Sequence, residues 1–275
     1  MSYKQITSIK DYSIISELKT LPNQGILWEI INTNITGKIY QLSNSAVAVI
    51  ENCGDPFVFL AGDVSRVAID NVISLVQSRD FPMVLCNSVY HSLFEERGWD
   101  FNIRAQMKLK RPIAKPIQQN GFVMKKIDDL SILQACNWYK EKIALYGSAE
   151  NFLHTGKGVA LFKHNMLVSE AYASIGADHA EIGVVTSNDH RNNGYAHMIT
   201  SHLIYQLLEQ NLEVDWSCQM DNRASLHTAL KLGFDITSYT MLMVPTVGNV
   251  LGDKLVRWLN VKDVHFNDDR LARRF

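Results

Sequence analysis

The sequence predicts an α/β protein in two parts. Strand-length apolar runs alternate with helical patterns, a stretch rich in breakers divides the chain, and one strand of the second part passes through a glycine loop into a helix. At 275 residues there is room for two domains of ordinary size. Hydrophobic residues make up 47% and charged residues 20%, so packed elements rather than disorder are expected throughout.

In the first part, Ser45 to Ile50 and Pro56 to Leu60 read as strands. Val64 to Val76 carries Val64, Val67, Ala68, Val72, Leu75 and Val76, as a helix would, and Met83 to Cys86 reads as a short strand. Leu93 to Asp100 then leads into a strand-like segment closing at Arg111-Pro112. The stretch from Arg111 to Gly121, with two prolines, a glycine and polar residues, reads as a linker. The expected organisation is an α/β domain over 1–111, a linker over 112–120, a second domain over 121–245 and a C-terminal extension over 246–275.

In the second part, Ala180 to Thr186 reads as a buried strand and Ser187 to His190 as a polar loop. Arg191-Asn192-Asn193-Gly194-Tyr195-Ala196 then enters a helix with an apolar stripe of Ala196, Ile199, Leu203, Leu207 and Leu208. Glu213 to Cys218 reads as a strand, and Asp221 to Ser225 opens a helix that Asn222 is suited to cap and that ends at Lys231-Leu232-Gly233-Phe234. Gly98-Trp99-Asp100 and Gly233-Phe234-Asp235 close the two parts alike. That likeness fits either a degenerate duplication or a common way of stopping a helix. The first part has no counterpart of the glycine loop.

Composition removes several classes of function. The formal net charge is −1, from 27 basic and 28 acidic residues, and no basic stripe with interleaved aromatics occurs, so nucleic acid is not expected as a partner. The N-terminus has no apolar signal core and no run approaches the roughly 18 apolar residues of a membrane span, so a cytoplasmic protein with no membrane partner is expected. Cys53, Cys86, Cys136 and Cys218 form no CxxC and read as buried free thiols. There is no HExxH, and His197 and His202 lie off a shared helical face, so no metal is expected.

The glycine loop carries the chemistry. The first turn of a helix leaves backbone N–H groups unpaired and partly positive, and small residues at 194 and 196 let a pyrophosphate approach them. The loop is neither GxxxxGK[ST] nor GxGxxG. Arg-x-x-Gly-x-Ala after a strand resembles the acyl-CoA pyrophosphate loop of the GNAT acetyltransferase superfamily. Asn-x-x-Ser followed by a helix ending in Lys-x-Gly-Phe resembles the closing block of the same superfamily. With Glu-Ile-Gly-Val-Val-Thr upstream and Trp-x-Cys between, the pattern is similar to the branch that includes the zwittermicin A resistance acetyltransferases.

The resemblance implies a GNAT fold, a mixed and mostly antiparallel central sheet flanked by helices. It implies acetyl-CoA as co-substrate, no metal, and the amine of a small molecule or peptide as acceptor; oligomeric state is left open, a homodimer included. By the same resemblance, backbone groups of Val184 and Thr186 meet the pantetheine arm, an N–H near Val185 meets the thioester carbonyl, and Arg191, Asn192, Asn193, Gly194, Tyr195, Ala196, Asn222 and Ser225 complete the cofactor set. Glu181 stands where many members place a catalytic glutamate and is the candidate general base. Ala229 stands where many members place a tyrosine that protonates the leaving thiolate, so Tyr239, Tyr172 or water would have to substitute. A catalytically inert acyl-CoA-binding regulatory module is the alternative.

Overall fold

The structure is a computed structural model that describes residues 3–33, 35–53, 56–79, 82–111, 113–116 and 120–245. The expected C-terminal extension, and residues 112 and 117–119 of the expected linker, lie outside them. The first half contains β1 (Lys4–Ile6), α1 (Tyr12–Leu18), α2 (Gln24–Thr33), β2 (Gly37–Ser43), β3 (Ala46–Glu51), β4 (Phe57–Gly62), α3 (Arg66–Val76), β5 (Met83–Leu85), α4 (His91–Glu95) and β6 (Trp99–Leu109). The second contains β7 (Phe122–Lys126), α5 (Leu130–Ala135), α6 (Tyr139–Tyr146), α7 (Ala149–Thr155), β8 (Lys157–Lys163), β9 (Met166–Gly176), β10 (His179–Thr186), α8 (Tyr195–Leu208), β11 (Glu213–Gln219), α9 (Arg223–Lys231) and β12 (Phe234–Pro245).

The described strands join one 12-stranded sheet in the order β1-β2-β3-β4-β5-β12-β6-β11-β10-β9-β8-β7. Each half runs through strand, helices, three strands, helix, strand, helix, strand. Only β4–β5 and β10–β11 are parallel, and they occupy corresponding places; the other pairs are antiparallel. The last strands are exchanged: β12 pairs with β5, β6 pairs with β11, and β6 and β12 pair with each other through the middle. The sheet is therefore mixed and mostly antiparallel, as expected.

Packing explains why the pieces hold. On one face of the second half, Ile199, Leu203, Ile204 and Leu207 of α8 bury against Val168, Ala171, Ala180 and Ile182. The helix face differs slightly from the expected stripe: Tyr195 is buried, while Leu208 is 36% exposed because it ends the helix. In α3, likewise, Ala68, Ile69, Val72 and Val76 face inward and Val67 is exposed. On the other face, α2 lies across β9 and β10. A Cβ on Gly25 would come 2.6 Å from the Ser174 carbonyl oxygen, and one on Gly176 would come 2.2 Å from the Glu29 nitrogen, so both must be glycine for this close approach. A helix of the first half thus roofs strands of the second, and Asn23, the residue just before it, reaches Glu181. Among the described residues, no helix is long and apolar enough to cross a membrane.

Candidate active site

Strand β10 loses one neighbour partway along. It pairs with β11 at His179, Ala180 and Glu181, opposite Glu213, Val214 and Asp215, but not beyond. It continues to Thr186 with partners on β9 only, while β11 continues to Gln219 with partners on β6. The two parallel strands splay past Glu181, which leaves the segment Ile182 to Thr186 without a ladder on its β11 side. Within it Val184, Val185 and Thr186 are half-buried. The Val185 carbonyl accepts from Ser169 Oγ at 2.9 Å, and the Thr186 carbonyl accepts from Arg191 Nε at 3.4 Å.

The loop from Ser187 to Gly194 ends in a left-handed residue. Asn192 has φ 63° and Gly194 φ 77°, and Asn193 Nδ2 stitches the turn by donating to the carbonyls of His190 and Arg191 at 3.1 and 2.9 Å. Gly194 caps α8 with no side chain, and the first backbone bond of the helix runs from Met198 N to Gly194 O at 3.0 Å. The amides of Tyr195, Ala196 and His197 therefore precede the intrahelical ladder. Among the described residues, no atom outside the neighbouring residues lies within 4 Å of a Cβ built on Gly194, so there the helix end is open as well as free of a side-chain cap. This combination suits a phosphate group.

Other expected cofactor residues have other work. The Tyr195 ring is buried against Phe122 and its hydroxyl accepts from Lys163 Nζ at 2.9 Å, so only its amide is available at the helix end. Asn222 Oδ1 accepts from Ser225 N at 3.1 Å, capping α9 as its position suggested, and Ser225 Oγ accepts from Trp216 Nε1 at 3.0 Å.

Glu181 sits at the closed end of the splay with 6% exposure. Its Oε1 accepts from Asn23 Nδ2 at 2.8 Å and from Ser217 Oγ at 2.7 Å, and Ser217 Oγ in turn accepts from Asn23 Nδ2 at 2.7 Å and Arg104 Nη2 at 2.6 Å. Only the amide nitrogen of Asn23 can face a carboxylate, which fixes that side chain's orientation. Burial pushes the Glu181 carboxyl up to about 7; the Ser217 bond opposes this, nearby Asp215 adds to it, and Arg104 and Asn23 pull it down. A carboxylate poised near neutrality can take a proton from an amine and release it again. Sequence reading missed Asn23, Arg104 and Ser217. The one available signal was strand alternation, which turns Ser217 away from its buried neighbours Trp216 and Cys218 and onto the face of Glu181.

A second buried carboxylate, Glu170 on β9, differs from Glu181. It accepts from Asn137 N, Asn137 Nδ2, Trp138 N and the Tyr172 hydroxyl at 2.8, 3.1, 2.8 and 3.1 Å. Three of these four bonds pin the Asn137-Trp138 turn onto the sheet, where the Trp138 ring lies 3.2 Å from the position a Cβ would take on Gly183. Tyr172 gives its hydroxyl to Glu170, and burial drives its pKa far above the ordinary tyrosine range. Tyr239 is also buried and raised, and register places it with Ala105 and Cys218 on the face opposite Glu181. Ala229 is fully buried. Cys53 is half-buried, so the expectation of four buried thiols holds only for Cys86, Cys136 and Cys218, with Cys218 raised by burial.

A splayed parallel pair leading into an open, glycine-led helix places the chain among the N-acetyltransferase folds. It belongs to the GNAT acetyltransferase family, whose model matches residues 16–242, across both halves. It is 32% identical over 127 residues to the uncharacterized N-acetyltransferase YdfB of Bacillus subtilis (strain 168), a match covering 44% of this chain and about half, 48%, of that protein. The crystal structure of a GCN5-related N-acetyltransferase-like protein from Streptococcus suis 89/1591 superposes with a TM-score of 0.66 at 22% identity, over 84% of this chain and 96% of that one. A tandem GNAT protein from the clavulanic acid biosynthesis pathway superposes with a TM-score of 0.57 at 11% identity, over 88% and 97% of the two chains. At these identities the superpositions speak to fold alone.

Proposed function

We propose that the chain transfers an acetyl group from acetyl-CoA to a primary amine of a small molecule or peptide, by direct attack in a ternary complex. The observation that carries this reading is Glu181, buried at the closed end of the splay on the strand that leads into the glycine-led helix, with burial pushing its carboxyl up to about 7. The pyrophosphate is held on the amides of Asn192 to Ala196, with the pantetheine arm beside Val184 to Thr186 and the thioester carbonyl against an N–H near Val185. The amine nitrogen attacks the carbonyl carbon, a C–N bond forms and the C–S bond breaks. Glu181 takes the amine's proton, directly or through water, and the departing thiolate takes a proton from water, since neither Tyr172 nor Tyr239 is presented to it.

The repeated order of elements supports reading the first half as a degenerate GNAT-like unit that holds no cofactor; the family includes a protein described as tandem. Each unit lends its last strand to the other. The Trp216-x-Cys218 and Lys231-Leu232-Gly233-Phe234 segments support the zwittermicin-resistance branch. The decisive assay is thiol release from acetyl-CoA across a panel of amines, for wild type and Glu181→Gln. Tight acetyl-CoA binding with no thiol release from any amine would favour the inert regulatory module instead.

A further inference from the structure

The face of the sheet that carries Glu181 also carries a polar row across its centre. Paired residues on neighbouring strands share a face and side chains alternate along each strand. The pairs Glu181↔Asp215, Ser217↔Gln106, Gln106↔Ser238 and Arg104↔Thr240 therefore set Ser217, Gln106, Arg104, Ser238 and Thr240 beside Glu181 on one face of β11, β6 and β12. The opposite face of the same strands is the ordinary apolar core, with Ala105, Met107, Trp216, Cys218 and Met241 all buried. Polar side chains in the middle of a wide sheet oppose burial, so they need partners.

Two atoms beside Glu181 lack them. Gln106 is 9% exposed and Asn23 4%, yet among the described residues Gln106 Nε2 and Asn23 Oδ1 are buried with no hydrogen-bond partner. One is a donor and the other an acceptor. Arg104 adds a fixed cation: its Nη2 is 2.6 Å from Ser217 Oγ, which is 2.7 Å from Glu181 Oε1, and its guanidinium carbon sits 5.1 Å from the centre of the Phe57 ring. Two acceptors, Glu181 and Asn23 Oδ1, thus stand across Ser217 from two donors, Arg104 and Gln106.

We propose that this face is the acceptor subsite and that it takes an amine carrying a carboxylate on the neighbouring carbon, an α-amino acid, with its nitrogen at Glu181 and Asn23 and its carboxylate at Arg104 and Gln106. The inference rests on Glu181 being the base. It assigns substrate recognition to the first half, which supplies Asn23, Arg104 and Gln106. A guanidinium suits a carboxylate because its planar fork matches the two oxygens, and the Phe57 ring helps to hold that fork in place.

Acetyl-CoA thiol release is measured on the full chain with α-amino acids and with the carboxamides of the same amino acids, which keep the amine and lose the charge. Acids should exceed their carboxamides in kcat/KM by about tenfold or more. Arg104→Met should bring that ratio close to one, mainly through KM, and Gln106→Leu should lower it less; the second variant serves if the first does not fold. Pure positioning of Glu181 by Arg104 would instead slow acids and carboxamides together. Carboxamides turned over as well as acids, a ratio unchanged in both variants, or no acetylated acid in the panel would overturn the proposal. Carboxylate-blind turnover that still depends on Glu181 would remove only the subsite. Acid-selective turnover with a wild-type kcat in Glu181→Gln would remove only the base.

Discussion

The strand-to-helix junction occurs twice in this chain, once at β4–α3 and once at β10–α8, and the two are finished in opposite ways. In the first half, Ser65 Oγ caps α3 by accepting from Ala68 N at 3.3 Å. The end of β4 is filled by Glu17, whose Oε2 accepts from Gly62 N at 2.8 Å, and by the Tyr90 hydroxyl, which donates to Gly62 O at 2.9 Å. In the second half, the loop is longer, the cap is a glycine with no side chain, and among the described residues nothing outside its chain neighbours lies within 4 Å of a Cβ built on it. The fold is shared, but only one junction leaves its amides for a ligand. A function is set by how such a junction is finished and not by the architecture that carries it.

The largest expected effect breaks the open junction. Gly194→Trp puts a side chain into space that is open among the described residues, in a backbone at φ 77° that L residues rarely adopt. Acetyl-CoA binding should be lost in calorimetry while circular dichroism reports a folded chain. Wild-type affinity in a folded variant would move the pyrophosphate site elsewhere. Titration of the wild type should give one cofactor per chain, and a stoichiometry of two would show that the closed junction opens.

Next in size is Glu181→Gln. General-base catalysis contributes on the order of 10² to 10⁴ in rate, so kcat should fall by at least the lower figure with the acetyl-CoA dissociation constant nearly unchanged. The base acts as a carboxylate and burial raises it to about 7, so the wild-type rate should climb with pH through that region. The variant should recover part of its loss at high pH, where the free amine needs no base. A wild-type kcat at neutral pH would shift deprotonation to a water relay. Glu17→Gln, at the closed junction, should leave kcat alone.

These tests differ in how much of their basis could be read from the sequence. The glycine loop and α8 were legible because both are local: a breaker, a few small residues and one apolar stripe within a short span. Even there the helix face was off at its ends, where Tyr195 turns in and Leu208 turns out. The surroundings of Glu181 were not legible. Asn23 lies 158 residues away in sequence, and Arg104 comes from a strand that pairs across the two halves. Strand exchange is a choice of non-local partner, and no periodicity within β6 or β12 records it. Likewise the open and closed junctions differ by Glu17 and Tyr90, which arrive from elements before and after the loop they fill.

A smaller effect concerns Glu29, on the first-half helix that roofs the second half. Its carboxyl is buried and accepts from the Tyr146 hydroxyl at 2.9 Å, and burial raises it from 4.5 to about 7. A carboxyl raised in the folded state adds stability below its unfolded pKa and loses it as pH rises through the folded value. Unfolding free energy from urea titrations should therefore fall between pH 4.5 and 7, by on the order of a few kcal/mol for this group. Glu29→Gln should lessen that slope and leave the part that Glu181, raised over the same range, contributes. Equal slopes in variant and wild type would mean that the roof admits water to this carboxyl.

The smallest effect tests whether the closed junction is closed by its cap. Ser65→Ala removes the oxygen that accepts from Ala68 N, and loss of such a cap typically costs about 1 kcal/mol of stability. That loss should appear in urea unfolding. Freeing the α3 amides should still bring no second acetyl-CoA, because Glu17 still occupies the Gly62 amide and the Tyr90 hydroxyl still bonds the Gly62 carbonyl. The variant therefore separates two reasons for a silent first half. If stability falls and stoichiometry stays at one, the filled strand end is what excludes the cofactor. If a second cofactor binds, the serine cap alone was holding the site shut, and the two halves differ by far less than their loops suggest.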